Sequence, residues 1–109
     1  MNLRSTKVDA AQAAESLAAL GSETRLEIFR LLVRAGPEGL TVGEVQRFTA
    51  IPASTLSHHL AALSRAGLVQ QERRGREIIC RPDYPRMRGV IGFLTDQCCA
   101  GVAKPADVA

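Results

Sequence analysis

The chain has 109 residues, which is the size of one domain and leaves no room for a second hydrophobic core. With 46% hydrophobic residues, 23% charged residues and a net charge of +3, its composition is that of a folded protein and excludes disorder of the whole chain. Only 4% of the residues are aromatic and none is Trp, so we expect a core of aliphatic side chains.

Apolar runs and cysteine usage indicate a soluble chain in a reducing compartment. No run approaches the ~18 residues of a membrane helix, and the first ten residues lack the apolar stretch of a secretory signal. The three cysteines are an odd number and two of them are adjacent, which is a poor framework for disulfides. We therefore expect a cytoplasmic protein, without a membrane partner, whose thiols stay reduced.

Positive charge is concentrated in the second half of the chain. Residues 65–88 contain seven arginines and three carboxylates, a net charge of +4, whereas the remainder has a net charge of −1. A basic segment on a nearly neutral body is typical of a protein that binds a polyanion such as nucleic acid. A solvated face would give the same count, so the charge alone leaves both interpretations open.

The N-terminal half of the sequence predicts three helices. The first extends from Asp9 to Leu20 and is rich in alanine. Ser22 is a candidate N-cap for a second helix that reaches about Arg34 and has too many apolar positions for one exposed face. This second helix should therefore lie at the centre of the fold. Thr41 and Glu44 have the spacing of a capping box, which predicts a short third helix.

The second half predicts a fourth helix, a hairpin and a last helix. The fourth helix extends from about Ala53 to Arg65, with an apolar stripe made of Leu56, Leu60 and Leu63. Alternating residues on both sides of Arg-Arg-Gly-Arg predict a β-hairpin from Leu68 to Cys80 whose tip is Gly75. We expect this order of elements to form a winged helix-turn-helix, a mainly α fold with a small β-hairpin.

The last helix is predicted from about Asp83 to Ala100. Its apolar stripe indicates a dimer seam, and Gly89 and Gly92 would allow a close approach nearby. The stripe consists of Met87, Val90, Ile91, Leu94 and Cys98. We expect residues 1–101 to form one domain for DNA binding and dimerisation, and the small, polar residues 102–109 to form a disordered tail.

The outer face of the fourth helix is the candidate DNA-reading surface. A slim helix with small polar side chains fits a major groove ~12 Å wide, and a two-stranded ribbon fits along the neighbouring backbone. The residues expected at base edges are Ser54, Thr55 and His58. The residues expected at phosphates are Thr41 and Ser57. The residues expected at the DNA backbone or minor groove are Arg73, Arg74 and Arg76.

Each of these residues also has a structural interpretation. A single Ser or Thr at a helix start is more often a cap, and arginines at a hairpin tip are more often solvated. Their combination, in this order along the chain, favours DNA. His59 is different because it lies beside the leucine stripe, and we expect it to be a half-buried packing residue.

Two segments resemble the ArsR/SmtB family of bacterial repressors. Residues 55–80, TLSHHLAALSRAGLVQQERRGREIIC, contain the SxHLxxLxxAGLV pattern of the family's recognition helix and wing, and residues 17–32 resemble its second-helix opening. The resemblance covers about residues 9–101. It implies a homodimer through the first and last helices that binds double-stranded operator DNA without a ligand. It also implies release when an inducer, usually a metal or metalloid ion, is bound.

The resemblance directs attention to the cysteines as the inducer site. Family members with a metalloid site in the third helix have a Cys-Val-Cys pattern there. The segment of this chain that resembles that helix, TVGEVQRF, has no cysteine. Zinc-sensing relatives place histidines along the last helix, whereas His58 and His59 lie in the fourth. The remaining candidates are the adjacent pair Cys98 and Cys99, with Cys80 as a further ligand that would come from the partner subunit.

Thiolates are the ligands that a soft, thiophilic centre prefers, and trivalent arsenic and antimony are such centres. A C-terminal set of cysteines resembles the arsenic-responsive branch of the family. Two thiolates leave arsenite one bond short, whereas a methyl or aryl trivalent arsenical already uses one valence on carbon. We therefore expect organoarsenicals to be at least as effective as arsenite. The alternative for each cysteine is a small buried hydrophobe.

The sequence leaves three alternative functions. A thiol redox or sulfide sensor of the same fold would need Cys80 to meet Cys98 or Cys99, which the length of the last helix disfavours within one chain. A winged-helix module that binds only proteins is disfavoured by the arginine-rich hairpin tip. An enzyme is disfavoured because the sequence has no C-x-x-C motif and no Ser/His/Asp set outside the fourth helix.

Overall fold

The computed structural model describes residues 7–104, which form five helices and three short strands. The helices are α1 (Ala10–Leu20), α2 (Glu23–Ala35), α3 (Val42–Thr49), α4 (Ala53–Arg65) and α5 (Tyr84–Thr95). The strands are β1 (Leu40–Thr41), β2 (Val69–Arg74) and β3 (Glu77–Pro82), which form an antiparallel sheet in the order β1-β3-β2. The expected mainly α fold with a small hairpin is confirmed.

Capping side chains start the first three helices where the sequence predicts them. The Asp9 carboxylate accepts a hydrogen bond from Gln12 N at 2.8 Å, and the Gln12 side chain accepts one from Asp9 N at 2.9 Å. The same reciprocal pair joins Thr41 and Glu44 at 3.0 and 2.8 Å. Ser22 caps α2. These contacts satisfy N–H groups that a helix start otherwise leaves without partners.

The hairpin β2–β3, hereafter the wing, turns through two residues. Arg74 lies opposite Glu77, so that Gly75 and Arg76 form the turn. Gly75 has a φ of +59°. Positive φ at the first of two turn residues is the pattern of a type II′ turn, which favours glycine at that position. The predicted hairpin tip is therefore confirmed.

The core lies between α2, α4 and the start of the wing. Its buried members are Ala19, Ile28, Phe29, Leu32, Val45, Leu56, Leu60, Leu63, Ala66, Leu68, Val69 and Cys80. The leucine stripe of α4 is buried against α2, as the period of about 3.6 residues predicts. Because this stripe holds α4 on the body of the protein, the opposite face of the helix remains at the surface.

The last helix is shorter than the sequence suggests. It ends at Thr95 instead of Ala100, and Cys98 and Cys99 lie in the turns that follow. Residues 91–104 are all exposed, so no burial stabilises further helical turns. The assignment of Cys98 to the apolar stripe of the helix was therefore wrong. Cys99 has a left-handed φ of +62°, which is incompatible with helix continuation.

Two further expectations concern the C-terminal tail and membrane-spanning helices. Residues 102–104 are exposed and form no regular secondary structure, whereas residues 105–109 of the predicted tail lie outside the described residues. Among the described residues, no helix is long and apolar enough to cross a membrane.

Candidate nucleic-acid interface and cysteine pair

The N-terminus of α4 presents polar groups that the fold does not use. Pro52 occupies the N-cap and provides no side-chain hydrogen bond. The side chains expected at DNA are exposed, and within residues 7–104 none of them makes a hydrogen bond. They are Ser54, Thr55, Ser57 and His58. The capping interpretation therefore does not account for these hydroxyl groups, and free N–H groups at a helix start attract phosphate.

Thr41 has a structural role that the expected DNA contacts of α4 lack. It is half-buried, and its hydroxyl oxygen accepts the hydrogen bond of the capping box. The hydroxyl proton is still free to be donated to a ligand. Thr41, Ser57 and Arg76 line one open cleft of about 380 Å³ between the start of α3, the side of α4 and the wing. The structure thus brings together three residues that lie far apart in the sequence.

Arg47 lies on the same cleft and was missed by the sequence analysis. It is exposed in the last turn of α3 and lies outside the basic segment 65–88 from which polyanion binding was inferred. A basic side chain in the helix that precedes the recognition helix was the available signal. Arg47 and Arg76 line the cleft together with Ser57 and one carboxylate, Glu77, so two positive charges face one negative charge and the excess suits a phosphate group.

One carboxylate neutralises part of the wing. Glu72 accepts a hydrogen bond from Arg81 at 2.6 Å and lies 3.6 Å from the Arg74 guanidinium. The hydrogen bond from Arg81 and the charge of Arg74 lower the pKa of Glu72. Arg73 and Arg76 form no ion pair with the described residues. The wing therefore presents two guanidinium groups without an ion pair, whereas those of Arg74 and Arg81 share the Glu72 carboxylate.

His59 lies on the other side of α4 from the polar face. It is half-buried, as expected for a packing residue. Its Nδ1 atom is buried and has no hydrogen-bond partner among the described residues.

The three cysteines fall into two environments. Cys98 and Cys99 are exposed, and their sulfur atoms lie 3.4 Å apart. Cys80 is fully buried in β3, and burial raises the pKa of its thiol. Within residues 7–104, no three His, Cys, Asp or Glu side chains lie close enough together to hold a metal ion. One chain therefore does not bring Cys80 to the pair, and only the two adjacent sulfurs can bind one centre together.

Helices α1, α2 and α5 leave an apolar groove of about 420 Å³ at the surface. Large apolar side chains in this groove are exposed, including Ile91 at 56% and Leu94 at 62% of their surface. Two further members, Leu17 on α1 and Leu26 on α2, are about 40% exposed. An apolar area of this kind on a small monomer is typical of an interaction surface.

Comparison with known proteins places this arrangement in a family. The profile of a family described as a helix-turn-helix domain matches residues 20–72. The transcriptional regulator YgaV of Escherichia coli is 31% identical over 97 residues, which cover 89% of this chain and 96% of YgaV. A solved ArsR-like transcriptional regulator from Rhodococcus is 29% identical with a TM-score of 0.69, covering 79% of this chain and 78% of that one. The chain belongs to the ArsR/SmtB family of winged helix-turn-helix transcriptional regulators.

The descriptions of two other similar proteins name an assembly and a regulated operon. A solution structure of Mb0332 from Mycobacterium bovis, described as a homodimeric winged helix-turn-helix DNA-binding domain, is 26% identical with a TM-score of 0.63 and covers 86% of this chain and 88% of that one. A Halobacterium salinarum protein whose name describes an arsenical resistance operon repressor is 42% identical over 60 residues, which are 55% of this chain and 46% of that protein. These relatives are regulators of transcription and not enzymes.

Proposed function

We propose that this ArsR-family regulator is a repressor that binds operator DNA as a homodimer. The unused polar face at the start of α4 supports DNA binding, because a solvated face of a structural helix needs no cluster of unpartnered hydroxyl groups beside two arginines. The apolar groove between α1, α2 and α5 supports dimerisation, and the similar Mb0332 domain is homodimeric. Two copies of α4 would then reach two half-sites of one operator, ~34 Å apart.

We further propose that trivalent arsenic or antimony releases the DNA by binding to Cys98 and Cys99. The observation that carries this proposal is the pair of exposed thiols with sulfur atoms 3.4 Å apart, a separation that one pyramidal centre can bridge. The arsenic-related name of the Halobacterium relative agrees with it. Cys80 is a ligand in this proposal only if it is contributed by the partner subunit.

The chemistry of two thiols favours an organic arsenical. A monosubstituted trivalent arsenical with two hydroxyl groups exchanges both As–O bonds for As–S bonds. The two thiol protons leave in two molecules of water, and no oxidation is involved. Arsenite would keep its third hydroxyl group, which remains open to exchange with solvent. The organic form should therefore be bound at least as tightly as arsenite.

Fluorescence anisotropy of a labelled duplex from the region upstream of the gene tests both parts of the proposal. The concentration of phenylarsine oxide that releases the duplex should be no higher than the concentration of arsenite that does so. Cys98→Ser and Cys99→Ser should each abolish release without weakening DNA binding. Cys80→Ser is the matched control and should respond like the natural protein. If Cys80→Ser also abolishes release by both arsenicals, the two-thiolate site is wrong.

Oxidation of thiols is the second candidate signal, because the same exposed pair is open to peroxide. The structure disfavours its simplest form, a disulfide from Cys80 to the pair, since burial raises the pKa of Cys80 and keeps its thiol protonated. A disulfide between adjacent cysteines closes a strained ring. Release of DNA by mild peroxide, with no response to either arsenical, would establish the redox function instead.

A further inference from the structure

The carbonyl group at the end of the recognition helix α4 is held by two other helices. Ala66, the C-cap of α4, accepts a hydrogen bond from the Ser16 hydroxyl of α1 at 2.9 Å. The same oxygen accepts a second hydrogen bond from the Arg86 guanidinium of α5 at 3.0 Å. Arg86 also donates to the Ser16 oxygen at 3.1 Å, and Ser16 is fully buried. The three groups form a closed polar triangle, hereafter the Arg86 node.

The Arg86 guanidinium packs against the backbone of Gly67, where a residue with a side chain would clash with it. Gly67 has a φ of +80°, and a Cβ atom added there would lie 2.6 Å from the central carbon of the Arg86 guanidinium and 2.8 Å from both terminal nitrogens. The planar group therefore lies directly on the glycine. A cation at this place is also favoured by the negative end of the α4 dipole.

The first turn of α5 is fixed to the same region by its own cap. The Asp83 carboxylate accepts a hydrogen bond from Arg86 N at 3.0 Å, and Asp83 N donates to Leu68 O at 2.7 Å. The start of α5 is thus tied to the chain that leaves α4. The backbone N–H of Arg86 therefore belongs to this cap, while its guanidinium contacts the end of the recognition helix.

The node joins the helix that carries the polar DNA face to α1 and α5, two of the three helices that border the apolar groove. α4 carries the polar DNA face, whereas α1 and α5 carry Leu17, Ile91 and Leu94. In a dimer formed through that groove, the angle between α4 and the pair α1/α5 sets the distance between the two recognition helices. We propose that Arg86 is a positioning residue that fixes this angle and so determines which half-site spacing the dimer accepts. This inference rests on the proposed function as a DNA-binding homodimer.

The natural arginine has properties that lysine lacks. One terminal nitrogen donates to two acceptors while the planar group covers Gly67, and an ammonium group has no such plane. Arg86→Lys therefore keeps the charge but loses the fixed orientation. Ser16→Ala removes two sides of the triangle, the bond from Ser16 to Ala66 and the bond from Arg86 to Ser16, with a residue that favours helix. Arg88→Gln is the matched control, because Arg88 is exposed on the same helix and makes no hydrogen bond with the described residues.

The test measures binding of each full-length variant to a set of duplexes that differ by one to four base pairs in half-site spacing. The natural protein and Arg88→Gln should share one optimum. Arg86→Gln removes both guanidinium hydrogen bonds of the node, so at that spacing it should bind at least about tenfold more weakly than Arg88→Gln. Its affinities should also differ much less between spacings. Arg86→Lys and Ser16→Ala should change in the same direction, and the dimer itself should persist.

The outcomes separate this inference from the proposed function. A natural protein that binds none of the duplexes overturns both. A natural protein that binds with a clear optimum, together with an Arg86→Gln profile parallel to that of Arg88→Gln, overturns the positioning role alone. A uniform loss at every spacing indicates only general destabilisation and also overturns it. If Arg86→Gln does not fold, the spacing profiles of Arg86→Lys and Ser16→Ala decide by the same criteria.

Discussion

Glu72 is the residue that limits the positive charge of the wing. Its carboxylate engages Arg81 and Arg74, and its lowered pKa keeps it ionised at neutral pH. Glu72→Gln removes this charge, so we expect severalfold tighter DNA binding and a salt dependence steeper by up to about one unit of log K against log salt. Anisotropy titrations at several salt concentrations measure both quantities.

The control for this prediction is a carboxylate of equal charge at a distance. Glu15 is exposed on α1 and forms no ion pair with the described residues. Glu15→Gln changes the net charge by the same amount and should leave the salt dependence nearly unchanged. An equal effect of both substitutions would mean that net charge alone, and not the local pairing with arginines, controls affinity.

The three thiols should differ in their rates of alkylation. Cys80 is fully buried and its pKa is raised, whereas Cys98 and Cys99 are exposed. Because the thiolate is the reactive form, iodoacetamide at pH 7 should modify the exposed pair at least tenfold faster than Cys80. Mass spectrometry of proteolytic fragments over time gives the rates. Unfolding in denaturant should make all three react, and comparable rates in the folded state would contradict the assigned burial of Cys80.

At the scale of elements, local signals predicted the starts of helices well. The side chains of Asp9, Ser22 and Thr41 act through contacts three residues away, which are visible in the sequence. The end of α5 was predicted wrongly because it depends on packing that is absent from residue 91 onward. The Thr95 hydroxyl also donates to the Ile91 carbonyl at 3.0 Å, a side-chain bond to residue i−4 that slightly destabilises a helix.

β1 was not predicted because two residues are too few to show alternation. It forms only through its partner, with Leu40 opposite Cys80 and Thr41 opposite Ile79. The close approach is possible at Gly39, where an added Cβ would lie 2.5 Å from the Cys80 carbonyl oxygen. Contacts of this kind join residues 40 positions apart, and no local pattern reveals them.

The wing and α4 should contribute differently to DNA binding. Arg73→Gln and Arg76→Gln remove free charges, so each should weaken binding to all duplexes similarly and reduce the salt dependence by about one unit. Thr55→Ala and His58→Ala change side chains on the exposed face of α4. Each should weaken binding to the operator by about 1–3 kcal/mol and leave binding to unrelated DNA unchanged. Competition with unrelated duplex separates the two classes. Equal losses on both kinds of DNA for the α4 variants would contradict base readout.

At the scale of the whole molecule, the sequence identified most parts of the candidate site but not their assembly. Chain order was enough to assign Ser57 to the recognition helix and Arg76 to the wing tip. Only the fold places both on one cleft with Arg47, whereas the distance of Cys80 from the C-terminal pair was already expected from the length of the last helix. The cleft depends on how the elements pack, which periodicity does not specify. Contacts between two subunits are even less predictable from local sequence patterns.

The apolar groove should be the dimer interface. Leu94 is 62% exposed in one chain, so Leu94→Glu should leave the monomer folded while placing a carboxylate in the interface. Two Leu side chains contribute about 3 kcal/mol or more to the dimer, so the dissociation constant should rise at least roughly 100-fold. Sedimentation equilibrium measures this, and binding to a two-half-site operator should fall with it because a monomer reaches only one half-site.

Phe48 provides the control, since it is 70% exposed on α3 and does not line the groove. Phe48→Glu introduces the same charge in place of an equally exposed apolar side chain, and it should remain a dimer. If both variants become monomers, general loss of apolar surface is responsible. If Leu94→Glu remains a dimer, the subunits associate through another face, and the spacing of the recognition helices must then be set by contacts outside α5.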